Sequence, residues 1–462
     1  MSIREQIEIK YCDPLLVFNK FSGEDWAIFL DSANAKTDPR ETNRYSYIAL
    51  RPLLKMTCKN KLFTVNGESF FCDDPLAYLN NLMKQHKRLP DPNYPPFQGG
   101  IAGYFAYDLC HYFEDIPYPE IDDMQFYDLA IGLYDLVISF DHVQKRAWIL
   151  VGGLSSDVEI NLKEIINILR SDKILMNKNN RVIDPVKIDS NFSKDSYESV
   201  VKKAINYIRE GDIFEINLSQ RFIATLPEDF SPFNLYYKLR TINPAPFSAY
   251  FNINDVVIAS ASPERFLLLK DGVVDTRPIK GTRARGKTID EDNDLANELK
   301  NSKKDQAENI MIVDLMRNDL SKICEPFSVK VSQLCGLETF ASVHHLVSII
   351  QAKIKQEYTA LDLLKAAFPG GSITGAPKIR TMEIIAELEP NRRGPYCGSM
   401  GYIGFDGAMD MSIIIRTYTI KNNIVTFQAG GAIVLDSDPT AEYQETLHKA
   451  SALKRALVEE LS

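Results

Sequence analysis

Short apolar runs of β character recur along most of the chain, and they follow one another without the strand–helix–strand rhythm that a doubly wound parallel sheet requires. Leu62-Phe63-Thr64-Val65 leads into Asn66-Gly67, which predicts a hairpin with a primed turn. Residues 129–140 and 147–151 predict an antiparallel pair, and the glycine-rich 99–105 predicts a close backbone approach. Further strands are expected around Ile213 to Phe222, Val256 to Ala259, Val273-Val274, Met411 to Ile415 and Ile424 to Phe427. Helical spacing interrupts them: Tyr197, Val200, Val201, Ala204, Ile205 and Ile208 share one face, and Gly211 stands at the expected stop. The pattern predicts an α+β protein, a two-lobed antiparallel or mixed β-sheet core flanked by helices.

One seam divides the chain. Residues 154–194 are polar, with a helix-like stretch from Glu159 to Ser171, then Asn177-Lys178-Asn179-Asn180-Arg181, Asp184-Pro185 and Asp189-Ser190-Asn191. Turn formers and charge dominate there, as in a linker crossing a surface. The reading is a β-rich domain over 1–153, a linker over 154–194 and a second domain over 195–462.

Composition excludes several classes of function. About the longest apolar run, Ala147 to Leu154, is far short of the ~20 residues of a membrane helix. Met1-Ser2-Ile3-Arg4-Glu5-Gln6 has no basic start before an apolar stretch, so no secretory leader is expected. A net charge of −9 without a basic block argues against nucleic acid as a partner. The 7 cysteines form no C-x-x-C pair, which argues against a zinc knuckle or a disulfide framework and favours a reducing cytoplasm.

Two carboxylate pairs are candidate metal ligands. Asp305 and Glu308 lie three apart on a predicted helix, and Glu442 and Glu445 on another, with Lys449 four residues further on. Two such helices could hold a hard cation such as Mg²⁺ through oxygen. The spacing by itself more often describes solvated surface charge. Arg277-Pro278-Ile279-Lys280-Gly281-Thr282-Arg283 offers Lys280 as a buried amine of lowered pKa, or as an ordinary basic strand end. The run from Phe368 to Lys378 lacks the Gly-Lys-Ser/Thr of a phosphate loop and reads as a turn into a helix, with Pro377 near its start. Gln428-Ala429-Gly430-Gly431-Ala432 reads either as amides left open for a carboxylate after a strand or as a tight turn. His344 and His345 sit among apolar residues, where a histidine is more often a core residue than a catalyst.

The order of these pieces carries more than any one of them. Ala261 to Phe266, Arg277 to Thr282, Ile312 to Asp319, His345 to Ser348, Gly371 to Lys378 and Asp436 to Pro439 resemble, in sequence order, the chorismate-utilising enzymes, which include the anthranilate, aminodeoxychorismate, isochorismate and salicylate synthases. The resemblance is dense from Tyr197 to Leu457 and thinner through Gly99 to Asp108. It implies that family's fold. Lys280 in Pro278-Ile279-Lys280-Gly281-Thr282 resembles the aminodeoxychorismate branch, where anthranilate synthases carry alanine, and Asn217 points the same way. Anthranilate synthase component I is the alternative.

The resemblance implies Mg²⁺ as cofactor. Glu308 and Glu445 match its principal ligands, and Asp305 and Glu442 its supporting carboxylates. Tyr396, Arg416, Gly430, Gly431 and Lys449 match positions that hold the carboxylates of chorismate, with Ala432 standing where glycine is common. Lys280 is implied as the nucleophile, Glu264 as a proton-donating acid and His345 as the group orienting the departing hydroxyl. Gly394-Pro395-Tyr396-Cys397-Gly398 lacks the G-x-C-x-G elbow of a glutaminase, so a separate glutamine amidotransferase supplying ammonia is implied. Residues 29–32 with 44–48 resemble the family's tryptophan-binding region, and a small pocket between sheets is expected there.

Overall fold

The computed structural model describes residues 5–35, 41–154, 158–171, 187–228, 230–253, 255–339 and 343–458. Asn177 to Arg181, Asp184-Pro185 and the start of the chain at Met1 to Arg4 lie outside these residues.

Two 12-stranded sheets form the centre of the molecule, and every strand pairing within them is antiparallel. Alternation along one strand shows how they pack. Phe29 lies in a core beneath the helices Pro14–Asn19, Pro232–Ile242 and Pro439–Val458, whereas its neighbour Ile28 lies in a core shared by both sheets. Successive side chains of a strand point to opposite faces, so a strand covered on both faces reads as a continuous apolar run. The second sheet buries its outer face against the helices Pro75–Gln85, Lys303–Ser321 and Ala360–Ala367. The layers are therefore helix, sheet, sheet, helix.

The sheets do not respect the seam in the sequence. Strand Ile28–Asp31 pairs with Phe247–Ile253, and Gly100–Phe105 pairs with Ser399–Gly404. Both sheets thus mix strands from 1–153 and from 195–462. The part of the 154–194 linker that is described includes a helix, Val158–Arg170. Leu162 and Ile165 on that helix are buried in the first sheet's outer core, as its polar and apolar alternation requires.

Most local expectations correspond to elements. The Asn66-Gly67 turn has φ of 48° and 95°, the left-handed pair that a primed turn needs. Ser193 caps the helix Lys194–Glu210, and Gly211 ends it at φ 86°. A Cβ on Gly103 would lie 2.1 Å from the Ala130 carbonyl oxygen, which is the close approach expected of that stretch. Residues 129–140 differ. They form two strands in different sheets, Leu129–Tyr134 and Leu136–Asp141, and only the second pairs with Arg146–Val151. The chain changes sheet at Asp135, whose buried carboxylate accepts the Leu154 amide and faces Arg88 at 3.6 Å.

Candidate active site

A cavity of about 820 Å³ opens beside strands Glu215–Thr225 and Ile424–Ile433 of one sheet and Ile279–Ala284 and Val343–Lys353 of the other. The helices Lys303–Ser321 and Pro439–Val458 supply further wall. Each helix follows from its sequence: Ser302 caps the first through the Asp305 amide, and Pro439 opens the second with Ala450, Leu453 and Leu457 inward. Lys280, Glu264, His345, Tyr396, Arg416, Gly430, Lys449, Asp305, Glu308 and Glu445 all line the cavity. Gly431 and Glu442 stand just behind that wall. A Cβ on Gly431 would lie 3.1 Å from Glu442 Oε2 and 3.3 Å from Glu445 Oε1.

Lys280 is buried, and its Nζ donates to Glu215 Oε1 at 2.6 Å. Burial acts to lower the amine's pKa, but the carboxylates of Glu215, Glu308 and Glu264 outweigh it and hold the pKa above its ordinary value. The expectation of a lowered pKa is corrected on this point: the carboxylate count was invisible in the local sequence. Glu264 is also buried and accepts from Ser372 Oγ at 2.7 Å. Burial pushes its pKa up to about 7, against the lowering pull of Ser372 and Lys280. His345 Nδ1 shares a 2.8 Å hydrogen bond with Thr282 Oγ1 across the paired strands.

The cavity's cationic groups differ in how they are engaged. Lys449 Nζ donates to Glu445 Oε1 at 2.6 Å and to the Gly430 carbonyl at 3.0 Å. Arg416 has no side-chain partner among the described residues, and burial alone lowers its pKa. Its backbone stands at φ 50°, a costly conformation for a non-glycine residue. An uncompensated guanidinium in a cavity is suited to an incoming carboxylate. Tyr396 is buried at the same cavity, with the Arg393 guanidinium 5.9 Å from its ring centroid. Gly430 and Gly431 lie within strand Ile424–Ile433, neither after a strand nor in a turn. A Cβ on Gly430 would meet the Leu218 carbonyl at 2.3 Å, so the glycine is what allows the neighbouring strand so close.

The carboxylates suit a cation in part. Glu442 Oε2 is buried with no hydrogen-bond partner among the described residues, while its Oε1 accepts from Ser437. The Lys304 ammonium lies 3.9 Å from Glu308 Oε1 and 3.9 Å from Glu442 Oε1, so a positive charge already bridges the two helices. Burial raises the pKa of Glu442 and takes Glu308 to about 7. In Glu445 the same penalty is outweighed by Lys449, and its pKa is lowered. The donor chemistry of these three glutamates is the kind a hard cation takes. Asp305 fits less well, because Arg283 Nη2 donates to its Oδ2 at 3.3 Å. Among the described residues no three ligand-type side chains converge as tightly as around a bound ion.

Sequence reasoning missed Glu215, Ser372 and Lys304 as site residues. Strand alternation was the available signal for Glu215, since it shares a face with Asn217. Nothing local indicated that this face meets Lys280, which belongs to the other sheet. Cys397 has φ 64° but is buried, and burial pushes its thiol up to about 12, so it is no thiolate nucleophile. The small pocket expected near residues 29–32 and 44–48 is a cavity of about 110 Å³ between the sheets, lined by Leu30, Asp31, Ser32, Tyr45, Tyr47 and Met400 among others.

Known proteins share this architecture. A family model described as chorismate binding enzyme matches residues 35–455. The chain is 40% identical over 445 residues to aminodeoxychorismate synthase component 1 of Escherichia coli K12, covering 95% of each chain. It is 36% identical over 458 residues to anthranilate synthase component 1 of Aquifex aeolicus, covering 96% of this chain and 92% of that one. Among solved structures, anthranilate synthase component I from Streptococcus pneumoniae TIGR4 superposes with a TM-score of 0.81 at 34% identity, over 89% of this chain and 92% of the other.

Proposed function

The chain belongs to the chorismate binding enzyme family, and from that premise we propose that it is an aminodeoxychorismate synthase component 1, which converts chorismate and ammonia to 4-amino-4-deoxychorismate. One observation carries the choice of branch: Lys280 places an amine in the cavity that also holds the acid Glu264 and Arg416, which has no side-chain partner among the described residues.

Arg416 and Tyr396 bind the carboxylates of chorismate. Lys280, as free amine, adds at C2. Glu264 gives its proton to the departing C4 hydroxyl, since hydroxide is too poor a leaving group unaided. His345, fixed by Thr282, orients that hydroxyl. Ammonia then forms the new bond at C4 as the C2–Nζ bond breaks, and the enolpyruvyl group is retained. Mg²⁺ held by Glu308, Glu442 and Glu445 would neutralise carboxylate charge as it builds.

A separate glutamine amidotransferase subunit supplies the ammonia in this reading, consistent with the "component 1" in the relatives' names. The inter-sheet pocket at Leu30 and Tyr47 is the proposed tryptophan site. The 7 cysteines are all unpaired, which suits the reducing cytoplasm as the place of reaction. Among the described residues no helix is long and apolar enough to cross a membrane.

The test is an assay of purified protein with chorismate, MgCl₂ and ammonium salt, with products read by mass and fluorescence. The expected product is 4-amino-4-deoxychorismate, lost on adding EDTA and restored by excess Mg²⁺. Anthranilate as the product would assign the alternative branch.

Glu264 sets a pH dependence. Its acid form is the active one, and its pKa is raised to about 7. Protonation is largely complete below that value and is lost above it, so this contribution to activity falls as the pH rises through 7. Glu264→Gln is expected to lower kcat by about 10²–10⁴-fold, the usual value of general acid catalysis. Full activity in that variant would remove the acid role.

A further inference from the structure

Lys280 is an ammonium at rest, and an ammonium has no lone pair to attack with. The reading of Lys280 as nucleophile therefore needs a proton acceptor, and four carboxylates act on it. Glu308 comes from helix Lys303–Ser321, Glu445 from helix Pro439–Val458, Glu264 from the position just before strand Arg265–Lys270, and Glu215 from the opposite sheet. Of these, Glu215 is the one within hydrogen-bond distance of Nζ, at 2.6 Å. Its other oxygen, Oε2, is buried with no hydrogen-bond partner among the described residues. Glu264 Oε1 is engaged by Ser372, and Glu445 Oε1 by Lys449.

The backbone fixes Glu215 in place. It pairs with Ala376, and the amides of Phe214 and Asn217 on either side donate to the carbonyls of Ala376 and Thr374. Its side chain is 1% exposed and that of Lys280 8%, so bulk water is a poor competitor for the proton.

We infer that Glu215 is the proton acceptor that frees the Lys280 amine for attack, and that it returns the proton when the amine is released. This rests on the proposed lysine adduct. The Lys280 ammonium passes one proton to the Glu215 carboxylate, and the amine's lone pair forms the bond to C2 while the C4–O bond breaks. Glu264 supplies the proton that makes the leaving hydroxyl water. When ammonia attacks C4, the C2–Nζ electron pair returns to nitrogen. Glu215 then re-protonates Lys280, and the surplus proton on the new C4 nitrogen restores Glu264. No proton is gained or lost beyond the exchange of ammonia for water.

The test compares wild type with Glu215→Gln, a near-isosteric change that cannot accept the proton, in the chorismate, Mg²⁺ and ammonium assay from pH 6.5 to 9 (a window of about the range over which such groups titrate). Taking the ratio of variant to wild type at each pH cancels the titrations of ammonium and of Glu264. The expected ratio is about 10⁻² at neutral pH. It should then rise by close to tenfold per pH unit, because the variant's lysine must lose its proton to solvent. A ratio that is low but flat with pH would make Glu215 a structural partner only and would overturn the inference. If the glutamine variant does not fold, as read by circular dichroism, Glu215→Asp carries the same expectation, since the shorter chain withdraws the acceptor. Lys280→Ala separates the two claims: product formation in that variant would sink the lysine adduct, and Glu215's role with it. An inactive Lys280→Ala beside a flat Glu215→Gln ratio would sink the Glu215 inference alone.

Discussion

Lys280→Ala is expected to abolish 4-amino-4-deoxychorismate formation, by about 10⁴-fold or more in kcat, while chorismate still binds. The magnitude follows from the proposed mechanism, in which Lys280 is the one group that forms a bond to substrate and its loss is not made up by the residues around it. Arg416, Tyr396 and the glutamates remain, so the dissociation constant for chorismate, measured by tryptophan or tyrosine fluorescence, should change little. The variant is also expected to be less stable. Glu215 would be left buried without its cation, and breaking a buried pair by removing one partner costs about 3–5 kcal/mol. Urea unfolding alongside the assay distinguishes lost chemistry from lost fold. Undiminished product in a folded variant would show that Lys280 forms no necessary bond.

Arg416→Met should separate binding from stability in the opposite sense. The guanidinium has no side-chain partner among the described residues, and burial alone acts on it. In the proposed function its stabilising partner is the substrate carboxylate. Truncating one member of a desolvated charge pair costs 2–5 kcal/mol in binding, so kcat/KM for chorismate should fall by about 10²–10³-fold, chiefly through KM. The free enzyme loses an uncompensated charge and keeps an unbranched side chain at the same φ of 50°. Its Tm is therefore expected to rise, by about 1–3 °C. A fall in both Tm and kcat with KM unchanged would mean that Arg416 holds the fold rather than the substrate.

Both expectations depend on charges that face one another across long stretches of chain. Lys280 and Glu215 are 65 positions apart and belong to different sheets. Their pairing reverses the sign of the pKa shift expected for a buried lysine, because burial of one charge was legible in principle but the number of opposing carboxylates was not. Lys304 is similar: its place between Glu308 and Glu442 needs the two helices to be brought together. The Arg283 contact that engages Asp305 likewise needs strand Ile279–Ala284 to run beside helix Lys303–Ser321.

What the sequence by itself determined were the features that depend on neighbours a few residues away. The helices capped by Ser193 and Ser302, the primed turn at Asn66-Gly67 and the apolar faces that make each run a strand or a helix are all local. So are the ordered motifs at Ala261 to Phe266, Arg277 to Thr282, Ile312 to Asp319, His345 to Ser348, Gly371 to Lys378 and Asp436 to Pro439, because each is contiguous, and together they were enough to recognise the family. Only the tertiary structure decided that the two ends of the chain share both sheets, that the strand after Asp135 changes sheet, and which partner each buried charge meets. Sheet order and ion pairing are set by contacts between segments far apart in sequence, for which local alternation specifies the face of a strand but not what lies opposite it.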